Sequence, residues 1–228
     1  MLIISTSDIH SPKYLNEFFL ALREISNINA DLAILAGDLV EKGYFQHFSP
    51  VYSALKNRAR YVIATFGNED YSENRMYYKE KYNDIIWLDD ERIDLEVGNI
   101  KVTIVGSEGV LESPTKWQMM NGIDENFYMK RLEKLENLLC NSSSDIKILL
   151  THYASTFQTV LGERKSVYPH LGYRIIEKLA LNGRVDCLPN IAIHGHAHYA
   201  KRTFYVVYGV KVYNVALPAN KRILVINT

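Results

Sequence analysis

The chain has 228 residues, 47% hydrophobic and 23% charged, with 26 Lys+Arg balanced by 26 Asp+Glu for a formal net charge of zero. That size and balance predict one soluble globular domain, residues 1–228, around a substantial core. Zero net charge excludes a global basic field for indiscriminate nucleic-acid binding.

The first half alternates strand and helix. Leu2 to Thr6 reads as a buried strand, and Leu15, Phe18, Phe19, Leu22 and Ile25 then repeat at helical spacing. Leu32 to Ala36 is a second strand, followed by a helix through Phe45 to Leu55; Tyr61 to Thr65 is a third, followed by a helix through Tyr71 to Tyr82. Strands separated by helices of this length imply parallel βαβ units. The pattern then changes to a hairpin, Arg92–Val97 and Ile100–Gly106 around Gly98-Asn99. A loop from Ser107 to Gly122 leads to a helix over Asp124 to Leu139, a strand at Ile146 to Thr151 and a long segment from Tyr153 to Pro169. A helix through Leu171 to Leu181 precedes four strands, Asn190–His194, Arg202–Tyr208, Lys211–Val215 and Arg222–Ile226, with Gly209-Val210 as the turn between the second and third. Two β-rich halves with helices outside predict an α/β fold of two stacked sheets flanked by helical layers. The long segments 107–122 and 153–169 are candidates for substrate contact or a lid.

No run approaches the roughly 18 apolar residues of a membrane span. The start, Leu2-Ile3-Ile4-Ser5-Thr6, shows no signal peptide, so a cytoplasmic protein is the expectation. Cys140 and Cys187 lack metal-ligand spacing and read as ordinary semi-buried thiols, with no disulfide framework.

The chemistry lies at the strand ends. Asp8-Ile9-His10, Gly37-Asp38, Gly67-Asn68, Thr151-His152 and Gly195-His196-Ala197-His198 each follow a predicted strand within a few residues. Each piece alone is weak, since Gly-Asp and Gly-Asn usually mark turns. Together they matter, because parallel strands deliver their C-terminal ends to one edge, where α/β folds place ligands. Seven ligand-competent groups at one rim are expensive unless something binds them. Four imidazoles, two carboxylates and one amide carbonyl suit Mn²⁺, Fe²⁺, Zn²⁺, Ni²⁺ or Co²⁺, whereas an oxygen-only Ca²⁺ or Mg²⁺ cage would look different.

This ordered set, spanning residues 8 to 198, resembles the calcineurin-like metallophosphoesterase family. The resemblance implies a four-layer α/β/β/α sandwich of two mixed sheets flanked by helices. It implies two divalent ions, Mn²⁺ foremost: one on Asp8, His10 and His198, the other on Asn68, His152 and His196, with Asp38 bridging. It also implies phosphodiester or phosphomonoester hydrolysis by in-line attack of a metal-bound hydroxide, Asn68 helping to orient a phosphoryl oxygen. A small or nucleotide-like phosphorylated substrate is the expectation. A nuclease of the same fold and a catalytically weak scaffold for a protein partner are the alternatives; neutral charge disfavours the first and the complete ligand set the second.

One position departs from the family pattern. The third block there is usually Gly-Asn-His, the His being the proton donor to the leaving oxygen, and here Glu69 stands in its place. Glu69 is readable as a general acid, as an acceptor for water or a substrate hydroxyl, or as a cap for the helix near Tyr71, with Asp70 beside it. Tyr153 and His170 are alternative donors and candidate substrate contacts, and Arg164, with Lys165, is a candidate phosphate clamp or a solvated turn. Trp117 reads as a base-stacking residue or as packing under its loop. His194 reads as a support for a ligand or as a satisfied strand-end histidine, and His47 as a surface residue.

Overall fold

The computed structural model describes residues 1–228. In the first sheet β1 (Leu2–Thr6), β2 (Ala30–Ala36), β3 (Ala59–Thr65) and β4 (Ile85–Trp87) lie parallel in that order. Helices α1 (Leu15–Glu24), α2 (Ser49–Leu55) and α3 (Arg75–Lys81) are their crossovers. The second sheet runs β5 (Glu91–Val97), β6 (Ile100–Ser107), β7 (Ile146–Thr151), β8 (Ile191–His194), β10 (Val210–Asn214), β9 (Phe204–Val207). Helices α4 (Lys116–Met120) and α5 (Glu125–Cys140) connect β6 to β7, and α6 (Ile175–Leu181) connects β7 to β8. A short α7 (Leu217–Asn220) leads to β11 (Leu224–Asn227), which returns to pair antiparallel with β1.

Side-chain alternation along the strands separates the layers. In β2, Leu32, Ile34 and Ala36 meet Ile104, Ile148, Leu150, Ile191 and Ile193 of the other sheet, while Ala33 and Leu35 face a core with Phe18, Leu22, Val51 and Tyr78 of the first helical layer. In the second sheet Leu149 and Ala192 turn the other way, onto Leu132, Leu135 and Leu139 of α5 and Ile175, Ile176 and Leu179 of α6. Helix, sheet, sheet, helix is therefore the layer order. At about 1.5–3 kcal/mol for each fully buried aliphatic side chain, these three apolar zones fix the strand registers. A one-residue slip would exchange every face.

Several local expectations need correction. The predicted helix at Phe45–Leu55 is a 3-10 turn, Phe45–Phe48, followed by α2, and that at Tyr71–Tyr82 is a 3-10 turn, Ser72–Asn74, followed by α3. The loop 107–122 contains α4, closed by a capping box. The Thr115 hydroxyl accepts the Gln118 N–H at 3.2 Å and Gln118 Oε1 accepts the Thr115 N–H at 2.8 Å. The segment 153–169 holds two 3-10 turns, Phe157–Thr159 and Lys165–His170. The turn between β9 and β10 is Tyr208-Gly209, one residue earlier than read, because a two-residue hairpin needs positive φ at both positions and these have +47° and +83°. Cys140 and Cys187 are not free thiols. They form a disulfide joining the end of α5 to the 3-10 turn before β8.

Candidate metal centre

The ends of β1, β2 and β3 in one sheet and of β7 and β8 in the other converge on one rim, where all seven side chains singled out in the sequence meet. The backbone there is unusual. Asp8, His10, Asp38 and His196 have φ of +56°, +41°, +51° and +68°, left-handed values that cost a non-glycine residue on the order of 1–2 kcal/mol each. Cross-links hold them: Asp8 N–H donates to Gly37 O and His10 N–H to Asp38 O, both at 3.0 Å, and His196 N–H donates to the Asp8 carboxylate at 3.0 and 3.2 Å. Lys42, Asp90, Tyr208 and Lys221 also have positive φ elsewhere in the chain, but only here do four such residues share one rim, the kind of clustering seen at functional sites.

Two groups of donors result. Asp8, His10 and His198 bring ligand atoms within 4.8 Å of one another, as do Asp38, His152 and His196. His198 Nε2 lies 2.8 Å from Asp8 Oδ1, and His10 Nε2 lies 3.4 Å from His198 Nε2. Asn68 Oδ1 is 3.2 Å from His152 Nε2, adding an amide oxygen to the second group. Asp38 Oδ2 stands between the groups, 3.6 Å from His10 Nε2 and 3.4 Å from His152 Nε2, while its Oδ1 accepts the Glu69 N–H at 2.8 Å.

The ring orientations are set from behind. His152 Nδ1–H donates to Ala36 O at 2.9 Å, which leaves Nε2 as the lone-pair nitrogen facing Asp38 and Asn68. His196 Nε2–H donates to His170 O at 3.1 Å, which leaves Nδ1 for ligation. Backbone carbonyls that fix the tautomer in this way are the usual support of metal-binding histidines. His194 is a satisfied strand-end residue: Thr159 Oγ1 donates to its Nε2 at 2.6 Å, its Nδ1 donates to Gly195 O at 2.8 Å, and burial pulls it down to about 4, so it is neutral.

Asp8 and Asp38 are buried, and neither pairs with Lys or Arg; their ion-pair partners are imidazoles. Burial pushes both carboxyls up, but the neighbouring histidines outweigh it and hold both below the ordinary range. Burial pulls His152 down, yet the Asp38 charge and hydrogen bond, with Asp8 behind, raise it to about 10. A ligating imidazole is neutral, so that proton and a cation are alternatives for the same buried anions. This donor set, anionic and without a permanent positive charge of its own, fits a pair of divalent ions.

Two further carboxylates frame the rim. Asp70, fully buried, accepts N–H groups of Gly67 at 3.0 Å, Leu39 at 3.1 Å and Val40 at 3.3 Å, tying the end of β2 to the end of β3. Burial and the Asp38 charge raise it to about 7 against those hydrogen bonds. The sequence reading passed over this role, although the carboxylate sits two residues after Asn68. Glu69 does not cap the helix near Tyr71; its Oε2 accepts the Lys42 N–H at 2.6 Å and so staples the loop after β2, while its side chain also lines the adjoining cavity.

That cavity, about 300 Å³, is lined by Asn68, Glu69, Tyr71, Leu111, Thr115, Trp117, Tyr153, His170 and His196 among others. The Tyr153 hydroxyl donates to Glu108 Oε1 at 2.9 Å and accepts from Gln118 Nε2 at 3.3 Å, and burial holds it well above its ordinary value, so its proton is committed. His170 Nδ1–H donates to Ser113 O at 2.9 Å, which directs Nε2 chemistry toward acceptance unless the ring is charged. Arg164 is exposed and does not line this cavity, and His47 is a surface residue.

Close backbone approach makes the rim intolerant of added atoms. A Cβ on Gly67 would run into the Asp38 carboxylate and main chain. Gly67→Ala is therefore expected to lower kcat/KM about 10²-fold by displacing Asp38 on the order of an ångström, with far-UV circular dichroism unchanged. Full activity in Gly67→Ala would refute the placement of Asp38.

An Asp/His/Asn donor set, in two groups at the strand ends of an α/β/β/α sandwich, is the arrangement a metal-dependent hydrolase would need. The calcineurin-like phosphoesterase family model matches residues 1–200, and the chain belongs to that family. It is a metal-dependent phosphoesterase. None of the curated proteins matches it significantly. Among solved structures it is similar to phosphopantetheinyl hydrolase from Mycobacterium tuberculosis, with a TM-score of 0.67 and 14% identity over 97% of this chain and 95% of that one. It is similar to a putative 5'-nucleotidase from Staphylococcus aureus, with a TM-score of 0.58 and 15% identity over 93% of this chain and 48% of that one. A phosphatase from Mycoplasma pneumoniae aligns with a TM-score of 0.58 and 14% identity over 95% and 71%. At these identities the likeness is one of fold.

Proposed function

We propose that the chain is a dinuclear phosphoesterase that hydrolyses small phosphodiesters or phosphomonoesters, nucleotide-like ones included. Asp8, His10 and His198 would hold one divalent ion, Asn68, His152 and His196 the other, and Asp38 both. The observation that carries the reading is the position of Asp38 Oδ2, within 3.6 Å of His10 Nε2 and 3.4 Å of His152 Nε2. Mixed imidazole and carboxylate donors suit Mn²⁺, Fe, Zn, Ni or Co, and the family resemblance puts Mn²⁺ foremost. When bound, such a pair supplies an activated water and neutralises charge on a phosphoryl group undergoing in-line displacement. The protein's own part is to hold the donors rigid from Ala36, His170 and Asp70, and to offer the exposed Asn68 amide to a phosphoryl oxygen.

Glu69 and Tyr153 are both tied into hydrogen bonds, and His170 commits its Nδ1–H to Ser113 O, which supports a site with no dedicated proton donor for the leaving oxygen. Aryl phosphates and phosphodiesters with good leaving groups should then be cleaved much faster than alkyl monoesters. A series of leaving groups spanning several pKa units checks this; a flat dependence with chemistry rate-limiting would count against it. The reading as a whole is tested by elemental analysis of the purified protein together with Mn²⁺-dependent hydrolysis of bis-p-nitrophenyl phosphate. A protein that binds no transition metal and hydrolyses nothing sinks it. No helix is long and apolar enough to cross a membrane. A cytoplasmic site of action belongs to the same proposal, and trapping the Cys140–Cys187 cross-link in intact cells would argue the other way.

A further inference from the structure

Next to the metal groups the chain exposes aromatic surface, extensive at Trp117 and partial at Tyr71, whose ring rests on Gly43. Trp117 is 67% exposed and Tyr71 36%, whereas the other tryptophan, Trp87, is buried and stacked on Phe66 with ring centroids 4.8 Å apart. Trp117 and Tyr71 both line the 300 Å³ cavity that includes Asn68 and His196. Both also line a neighbouring one of about 440 Å³ that again includes Asn68. They are a shared wall beside the candidate reaction centre. The support for Trp117 is rigid: α4 is closed by its capping box, and Gln118 Nε2 donates inward to Tyr128 Oη at 2.9 Å and Tyr153 Oη at 3.3 Å. With Gln118 pinned inward, its neighbour Trp117 stays at the surface.

The charge of the wall narrows what it takes. No Lys or Arg lines the 300 Å³ cavity, and Glu69 is its carboxylate. Arg75 lines the second cavity, but its two arms are given to Asp89 at 2.8 Å and Glu108 at 2.7 Å. An additional anionic group in this direction would meet carboxylates and no free cation. We infer that Tyr71 and Trp117 form a stacking subsite for a planar, uncharged aromatic group of the nucleobase type on one ester arm of the substrate, and that this subsite sets substrate preference. The inference rests on the phosphoesterase reading above and names the substrate class for that same site.

The test compares thymidine 5'-(p-nitrophenyl phosphate) with methyl p-nitrophenyl phosphate on the Mn²⁺-loaded protein. Both release p-nitrophenolate, so the leaving group is constant and the other arm alone differs. Base–aromatic stacking is worth roughly tenfold or more in affinity. The thymidine ester should therefore show at least about a tenfold higher kcat/KM, expressed mainly in KM. In Trp117→Ala that ratio should fall about tenfold, and in Trp117→Phe it should be largely retained. Independently, thymidine 5'-phosphate should quench the fluorescence of the exposed Trp117, a change lost in Trp117→Phe, because Trp87 is shielded. Equal kcat/KM for the two esters, or a ratio unaltered in Trp117→Ala, overturns the subsite and leaves the phosphoesterase reading standing. Failure of the wild-type protein to cleave either ester overturns the phosphodiesterase part of the reading above instead, and the subsite then stands or falls on the quenching.

Discussion

Asp38→Asn is expected to reduce hydrolysis of bis-p-nitrophenyl phosphate by about 10³-fold or more and to lower the bound metal from two equivalents toward one or none. Its Oδ2 is the atom that both donor groups approach, at 3.6 Å from His10 Nε2 and 3.4 Å from His152 Nε2. The amide keeps the size and the Oδ1 contact to the Glu69 N–H but loses the negative charge that both imidazoles and both proposed ions share. Several kcal/mol of charge stabilisation are at stake, and each 1.36 kcal/mol is a factor of ten in rate. Elemental analysis and steady-state kinetics on the same preparation read both effects. A variant with two metal equivalents and near wild-type turnover would exclude Asp38 from the bridging position.

The largest expected effect on stability lies just behind the site, in Arg75→Met. Glu108 is mostly buried and takes Arg75 Nη2 at 2.7 Å, the Tyr153 hydroxyl at 2.9 Å and, more distantly, Arg131 Nη1 at 3.8 Å; the other arm of Arg75 holds Asp89 at 2.8 Å. Removing Arg75 leaves Glu108 with only the Tyr153 hydroxyl and the distant Arg131 as compensation, at the lower end of the cost of breaking a buried pair, about 3 kcal/mol. Chemical denaturation should show this as a lower midpoint at unchanged slope. Burial alone would raise the Glu108 carboxyl, but the Arg75 and Arg131 charges and the hydrogen bonds from Arg75 and Tyr153 outweigh it and lower it. A depressed folded value means the stabilisation is complete above the ordinary carboxylate pKa and is lost as the pH falls below that through the folded value. The difference between wild type and Arg75→Met should therefore be full at neutral pH and shrink in acid. A loss under about 1 kcal/mol would show that solvent, and not Arg75, compensates Glu108.

Strand ends made most of the rim legible. Asp8, Asp38, Asn68, His152 and His196 could be assigned to one edge because each follows a short apolar run, and parallel strands have no choice about where their C-terminal ends go. The two-sheet plan was legible for a similar reason, since continuous apolar runs such as Leu32–Ala36 between helix-period stretches read locally as strands buried on both faces. Other features left weaker traces. The Thr115–Gln118 capping box was present in the sequence but masked by a loop-like stretch around it. The role of Asp70 depends on amides of Leu39 and Val40, some thirty positions away, and no local pattern announces that. The same holds for Glu69, whose partner is the Lys42 amide rather than the helix it precedes.

Local chemistry and periodicity in the chain determined most of the longer elements, the two-sheet plan and the donor-bearing turns, because those depend on near neighbours, while the short β4, α4 and the 3-10 turns escaped them. Only the tertiary structure decided that the last strand, Leu224–Asn227, crosses back to β1, that Cys140 meets Cys187, and that the Asp70 carboxylate joins the end of β2 to the end of β3. Each of these is a distance between residues far apart along the chain, set by how the layers pack, and such distances carry no signature in the residues themselves.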